Sequence, residues 1–364
     1  MTGPLSSLGL DFAWLRGGRG IAGWGRAAVV DVGTGRDRFE RADGKLRRSF
    51  EESGFGLAFA SFTFDSDDPE SSLVVPETVV EVHLDDDEET DPSPKIRYEG
   101  STVPEIEWLD LVAEAVARIR DHRLDKVVLA RDLRVWAKAD LDTRNLAARL
   151  ARRYPECFTF VHGPLVGATP ELLVRRRGTK VESLVLAGTA KRGADAGEDA
   201  EIGAAMLASA KDADEHRLAV ASVADVLQDC CSALEVDTSP RLLKLANVQH
   251  LATWLRGDLA TPLSALQLAG RLHPTAATCG TPRSTALQVI RELERMPRGC
   301  YAGPVGWVDS SGDGELGIAI RCAEVHGSHA RLFAGNGIVA GSLPEAELEE
   351  TRLKLRAMQS ALGD

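Results

Sequence analysis

Along the first 83 residues, short apolar runs such as "GFGLAFASFTF" and "SLVVPETVVEVHL" are separated by glycine and turn residues. Several keep a period of two, which puts successive side chains on opposite faces of a strand, so this stretch reads as a series of strands. The Asp/Glu/Pro/Ser segment at 85–95 reads as a mobile connection. A helical pattern follows in "VPEIEWLDLVAEAVARIRDHRL", then a strand in "KVVLARDLRVWA" and a helix in "DTRNLAARLARRYP". Strands are predicted in "CFTFVHG", "PLVGATPELLVRRRG" and "TKVESLVLAGTAKRG", and one long helix from "EDAEIGAAML" to "VLQDCC". The last third gives strands around "RLLKLANVQHLATWLRGDL", helices in "PLSALQLAGRLH" and "PRSTALQVIRELERM", and strands in "CYAGPVGWVDS", "GELGIAIRCAEVHG" and "HARLFAGNGIVAG". A closing helix starts in "GSLPEAELEETRLKL", and there is no internal repeat. Consecutive strands mixed with helices argue for an α+β fold with large antiparallel sheets.

A chain of 364 residues can hold one large domain or two smaller ones. The net charge of −12 argues against nucleic acid as a partner, since neutralising phosphates needs a basic surface. It leaves room for a small anionic substrate held by a local cluster of Arg, Lys and metal. The acid runs at 64–72 and 84–95 read as solvated loops. Six cysteines without a C-x-x-C pair fit reduced thiols in a cytosol better than a disulfide framework or zinc site. With no signal-peptide pattern and no apolar run of membrane-spanning length, the expected location is the cytoplasm.

Several positions carry candidate chemistry, each with a plainer alternative. Lys126 opens a strand; such a lysine snorkels to water, or serves as a base if burial destabilises its ammonium. Glu171 in "GATPELLV" is an exposed turn acid or, with a raised pKa, a general acid that could complement Lys126. Asp212 and Glu215, three apart in "KDADEHRL", are a solvated helix surface or a pair suited to Mg²⁺. His216 lacks a second ligand at metal spacing and reads as a hydrogen-bonding residue. Gly335 and Gly337 in "FAGNGIV" mark a close backbone approach or a sharp turn, because the third glycine of a dinucleotide fingerprint is missing. In the closing helix, Ser342 with Glu345 has the form of a capping box, and Glu350 with Lys354 that of a helix ion pair.

In order, the chain shows "KVVLAR", "GATPELL", "LAGTAKRG", "KDADEHRLAV", "VQHL", "LHPTAATCGTP", "YAGPVGW", "GIAIRCAEV", "AGNGIV" and "LPEAELEETRLK". That series resembles the chorismate-utilising (chorismate-binding) enzyme family, and within it the isochorismate synthases. The resemblance covers about residues 105–364 and extends more faintly into the N-terminal half. It implies one domain over 1–364: a less typical part at 1–100 and a catalytic core at 101–364. Its fold would be two big antiparallel sheets packed face to face and flanked by helices. It further implies Mg²⁺-dependent addition of water at ring position 2 of chorismate, with loss of the position-4 hydroxyl and a shift of the double bonds. Carried over position by position, Lys126 is the base that activates water and Glu171 the acid for the leaving hydroxyl. The resemblance likewise implies that Glu215 and Glu350 would be Mg²⁺ ligands, with Asp212 and Glu347 holding metal waters. Tyr301, Arg321 and Lys354, helped by backbone at Gly335, would clamp the pyruvyl carboxylate. His250 and the backbone of Gly188 and Thr189 would lie against the ring.

The branch within the family rests on few positions. The ammonia-using members have Gln in place of Lys126, so Lys126 implies a water user with no glutamine amidotransferase subunit. Ala187 stands where aminodeoxychorismate synthases carry a nucleophilic Lys. Ala277 stands where salicylate synthases tend to have Thr, which favours stopping at isochorismate. Salicylate synthase is the alternative enzyme, and a non-catalytic chorismate-binding protein a third reading, disfavoured by the intact Lys126/Glu171 pair. The resemblance also suggests a monomer and leaves open whether the product feeds menaquinone, a siderophore or salicylate. Asp214 is a departure expected to add a carboxylate beside the metal acids. Pro304 removes a ladder donor from an expected strand, and Asn336 replaces a common Ala.

Overall fold

Strands buried on both faces need apolar residues at nearly every position, and the computed structural model, which describes residues 10–84 and 93–363, is built on such strands. Phe12 and Trp14 enter the core between two sheets, whereas the alternating Ala13 and Leu15 enter a second core beneath helices. Each sheet has ten strands among the described residues, and neighbouring strands run antiparallel throughout. In the first sheet, strand Lys126–Ala137 pairs along its length with His329–Ile338. In the second, Lys180–Lys191 pairs with Val248–Leu259. The sheets meet face to face through aromatic contacts such as the stacked Phe12 and Phe59 rings, 5.4 Å apart. Helices Thr143–Arg153 and Pro344–Ala361 cover the outer face of the first sheet. Helices Arg38–Ser53, Ala210–Cys230 and Ala265–Leu272 cover the second. The N-terminal part supplies strands to both sheets.

Several element predictions need correcting. The strand-rich N-terminal reading missed helix Arg38–Ser53, although Phe39, Ala42, Leu46 and Phe50 form its buried stripe at helical spacing. The expected long helix is two, Ala196–Ala208 and Ala210–Cys230, broken at Ser209, whose hydroxyl caps Asp212 N. Two segments read as single strands also change sheets midway. Leu165–Thr169 lies in the first sheet and Leu172–Arg177 in the second. Gly314–Ile318 lies in the second and Cys322–His326 in the first. A period-two pattern cannot reveal such a switch, because both partners are buried strands. The capping box does not form: helix Pro344–Ala361 starts after Leu343 with no side-chain cap, and Ser342 Oγ instead accepts from Val339 N at 3.2 Å. Pro304 is the first residue of its strand, the place where a missing N–H is least costly.

The acid run at 64–72 is not simply solvated, because Asp65 and Asp67 both bind Arg291. Most of the second run, 85–92, lies outside the described residues. All six cysteines are unpaired. Among the described residues, no helix is long and apolar enough to cross a membrane.

Candidate active site

The two sheet-switching segments put their linking residues between the sheets, and these include Glu171 and Arg321. Arg321 adopts φ 52°, a left-handed conformation that turns the chain from one sheet to the other. Lys126 and Gly335 come from the first sheet, and His250 from the second. Gly188, at φ +73°, and Thr189 lie where the register between Lys180–Lys191 and Val248–Leu259 shifts. A narrow cleft opens there between the two sheets. Its walls contain Glu171, Gly188, Thr189, Glu215, His250, Ala277, Tyr301, Arg321, Gly335, Glu350 and Lys354. Lys126, Asp212 and Glu347, predicted with this set, are not among the lining residues; Lys126 packs behind Gly337 and Asp212 against Gly188, whereas Glu347 is held by Lys211 and Asn336.

Lys126 does not snorkel: it is fully buried. Its Nζ is 3.1 Å from Glu215 Oε1, off the line of a hydrogen bond, and no hydrogen-bond partner reaches it among the described residues. Glycine at 337 permits this arrangement, because a Cβ there would lie 2.6 Å from Lys126 Cε and closer still to Glu215 Oε1. Glu171 is not an exposed turn acid either. Burial pushes its pKa from 4.5 up to about 8, against the opposing charges of Lys126 and Arg321, so the carboxyl holds a proton at neutral pH.

Arg321 is a buried guanidinium with no carboxylate in ion-pair contact among the described residues. One of its Nη atoms lies 3.0 Å from His250 Nε2, and its Nε has no partner. His250 Nδ1 is 2.9 Å from the Gly188 carbonyl, which can only accept. Nδ1 therefore carries the proton and Nε2 accepts from Arg321. Burial, then the charge of Arg321, lowers the His250 pKa to about 3, so the ring is neutral. An uncompensated buried cation of this kind is suited to a carboxylate ligand. Tyr301, stacked on Phe333 at 5.1 Å, stands beside Gly335, where a Cβ would lie 2.9 Å from its hydroxyl.

The acids come from two helices, and Glu215, Glu347 and Glu350 are each paired with a lysine. Glu350 binds Lys354 at 2.7 Å, and Glu347 binds Lys211 at 2.7 Å. Burial opposes ionisation of Glu350, but the charge and hydrogen bond of Lys354 outweigh it and lower the pKa. Burial raises the pKa of both Asp212 and Glu347, with neighbouring Glu215 and Glu350 adding to the respective effects. Among the described residues, no three of His, Cys, Asp or Glu converge as a ready-made metal cage. The donor set nonetheless fits Mg²⁺, which takes one or two carboxylates, retains waters and uses substrate oxygens. A divalent cation would relieve the crowding of negative charge seen at Asp212 and Glu347.

His216 donates to or accepts from Thr253 Oγ1 at 2.7 Å, a hydrogen-bonding role as expected. Asp214 does not join the acids. It is exposed and pairs with Arg217 at 3.2 Å, because two residues along a helix from Asp212 face another direction. Sequence reasoning missed Lys211 and saw Asn336 only as a departure. Buried Asn336 donates to the Glu347 carbonyl at 2.6 Å and its Oε2 at 3.2 Å, and accepts from Lys354 at 2.8 Å. It thus ties the acid cluster to the lysine at the cleft wall, a link no local motif could signal.

The family model for chorismate binding enzymes matches residues 54–363. Isochorismate synthase DhbC of Bacillus subtilis (strain 168) is 38% identical over 362 residues, 93% of this chain and 90% of that protein. Isochorismate synthase EntC of Escherichia coli (strain K12) is 41% identical over 272 residues, 73% of this chain and 69% of that protein. The crystal structure of DhbC from Bacillus anthracis superposes with a TM-score of 0.91 at 33% identity, covering 99% of this chain and 98% of that one.

Proposed function

The chain belongs to the chorismate-binding enzyme family, and from that premise we propose that it is an isochorismate synthase that converts chorismate to isochorismate by adding water at ring position 2 and releasing the position-4 hydroxyl. The observation that carries this reading is the buried, proton-bearing Glu171 within electrostatic reach of buried Lys126. Lys126 removes a proton from the entering water. Glu171 gives its proton to the departing position-4 hydroxyl, which leaves as water while the ring double bonds shift. One water enters and one leaves, so substrate and product are isomers. A buried acid that remains protonated at neutral pH meets the requirement for protonating a leaving hydroxyl.

Arg321 and Tyr301 hold the pyruvyl carboxylate, and Lys354 supports them. Arg321 has an unengaged Nε, whereas Lys354 already donates to Gly335 O at 2.9 Å, Asn336 Oδ1 and Glu350. Neutral His250 keeps Arg321 aimed, and with the backbone at Gly188 and Thr189 it lies against the ring. Glu215 and Glu350 would hold Mg²⁺, with Asp212 and Glu347 on its waters. The metal would neutralise the ring carboxylate of the substrate. Lys126 in place of glutamine supports water, rather than ammonia from an amidotransferase subunit, as the nucleophile. Ala277 supports release of isochorismate without pyruvate loss. The chain is read as one chorismate-binding domain and a monomer, and its unpaired cysteines support a cytoplasmic location.

Incubation with chorismate and Mg²⁺, with products resolved by chromatography, tests the reading. Isochorismate without pyruvate is expected. Salicylate with pyruvate would assign the alternative activity, and a product formed only with ammonia would overturn both.

A further inference from the structure

A hydroxyl buried without a partner keeps its full desolvation cost, whereas valine would fill the same volume without it. Thr278 is such a residue: it is 4% exposed, and no group among the described residues reaches its Oγ1. It lines the same cleft, one position after Ala277.

The protein fixes its backbone closely. Thr278 N and Cys279 N donate to Thr275 O at 3.2 and 2.9 Å, and Thr278 O accepts from Arg298 at 2.8 Å. Val128 N donates to Cys279 O at 2.8 Å, and Gly280 and Thr281 pair with Val127 and Lys126. Thr278 therefore stands beside the start of the strand that carries Lys126. Its backbone N–H and C=O are both engaged, while its hydroxyl has no partner among the described residues. A threonine hydroxyl can accept one hydrogen bond and donate another, which suits an oxygen that enters as water and remains as a ring hydroxyl.

We propose that Thr278 is a substrate-contacting residue whose hydroxyl hydrogen-bonds the oxygen added to the ring on the Lys126 side of the cleft. This rests on the isochorismate synthase reading, and the experiment separates the two. Wild type, Thr278→Val and Thr278→Ser are compared for isochorismate formation, kcat/KM and thermal unfolding. The valine variant is expected to lose about tenfold in kcat/KM, the worth of one hydrogen bond, with Tm unchanged or raised because no protein partner is lost. The serine variant, which keeps the hydroxyl, is expected to stay within about twofold. Wild-type kcat/KM in the valine variant would overturn the inference. So would equal losses in both variants, which would assign the effect to the methyl group, or a loss accompanied by a lower Tm, which would assign a structural role. A wild type that forms no isochorismate would sink the functional reading itself, and the inference with it.

Discussion

Replacing Glu171 by glutamine removes a transferable proton and changes almost nothing else. The side chain is 4% exposed and accepts a bond from the Leu186 backbone, which the glutamine carbonyl can also accept. In the folded chain the carboxyl titrates at about 8 instead of 4.5, with burial as the cause. Between those two values the native state holds a proton that the unfolded chain has lost. Stability must therefore fall as pH rises through that window and level off above it. At about 1.4 kcal/mol per pH unit, the gap amounts to roughly 5 kcal/mol as an upper bound. Glu171→Gln lacks this term, so urea unfolding at pH 5 to 9 should show the wild type losing ground to the variant. Under the proposed function the same proton is the one given to the leaving hydroxyl. Wild-type kcat should fall about tenfold per pH unit on an alkaline limb near 8, and the variant should lose ~10²–10⁴-fold at neutral pH and show no such limb. Parallel stability curves across the window, or a variant rate within tenfold of wild type, would refute the assignment of Glu171 as the proton-bearing acid.

Arg321→Lys removes the planar fork and the donor to His250 Nε2, so KM for chorismate should rise about 10–100-fold in steady-state kinetics; an unchanged KM would count against the carboxylate clamp. Gly337→Ala puts a methyl group 2.6 Å from Lys126 Cε, which must move aside. Displacing the base by about 1 Å should cost ~10²-fold in kcat while the circular dichroism spectrum stays native, and an unaltered kcat would argue that Lys126 need not sit where it does. Glu350→Gln should weaken Mg²⁺ binding to the substrate-free protein in calorimetric titration and leave Tm near wild type, because Lys354 keeps Gly335 O and Asn336 Oδ1. Equal Mg²⁺ affinity would remove Glu350 from the ligand set.

Much of this was legible in the sequence because the chemistry sits in short motifs. The ten ordered motifs name Lys126, Glu171, Glu215, Arg321 and Glu350, and the matching family model covers 54–363. The α+β class followed from the run of strands. What stayed hidden was long-range. Apolar patterning shows that 164–178 and 314–327 are buried strands, but not that each leaves one sheet for the other and so puts Glu171 and Arg321 between them. Helix Arg38–Ser53 was legible in its buried stripe but was outweighed by the strands around it. The pairing of Lys211 with Glu347 spans 136 positions, and the role of Asn336 depends on a helix folding back over its strand. Asp214 shows the opposite error: adjacency in a motif suggested a shared task that helix geometry forbids.

The most direct test is the fate of the water oxygen. Chorismate is converted in ¹⁸O-labelled water with Mg²⁺, and the product is analysed by mass spectrometry and NMR. Water addition at ring position 2 with loss of the position-4 hydroxyl predicts isochorismate carrying one ¹⁸O at position 2. Unlabelled isochorismate, which would require the hydroxyl to migrate within the substrate, would contradict it.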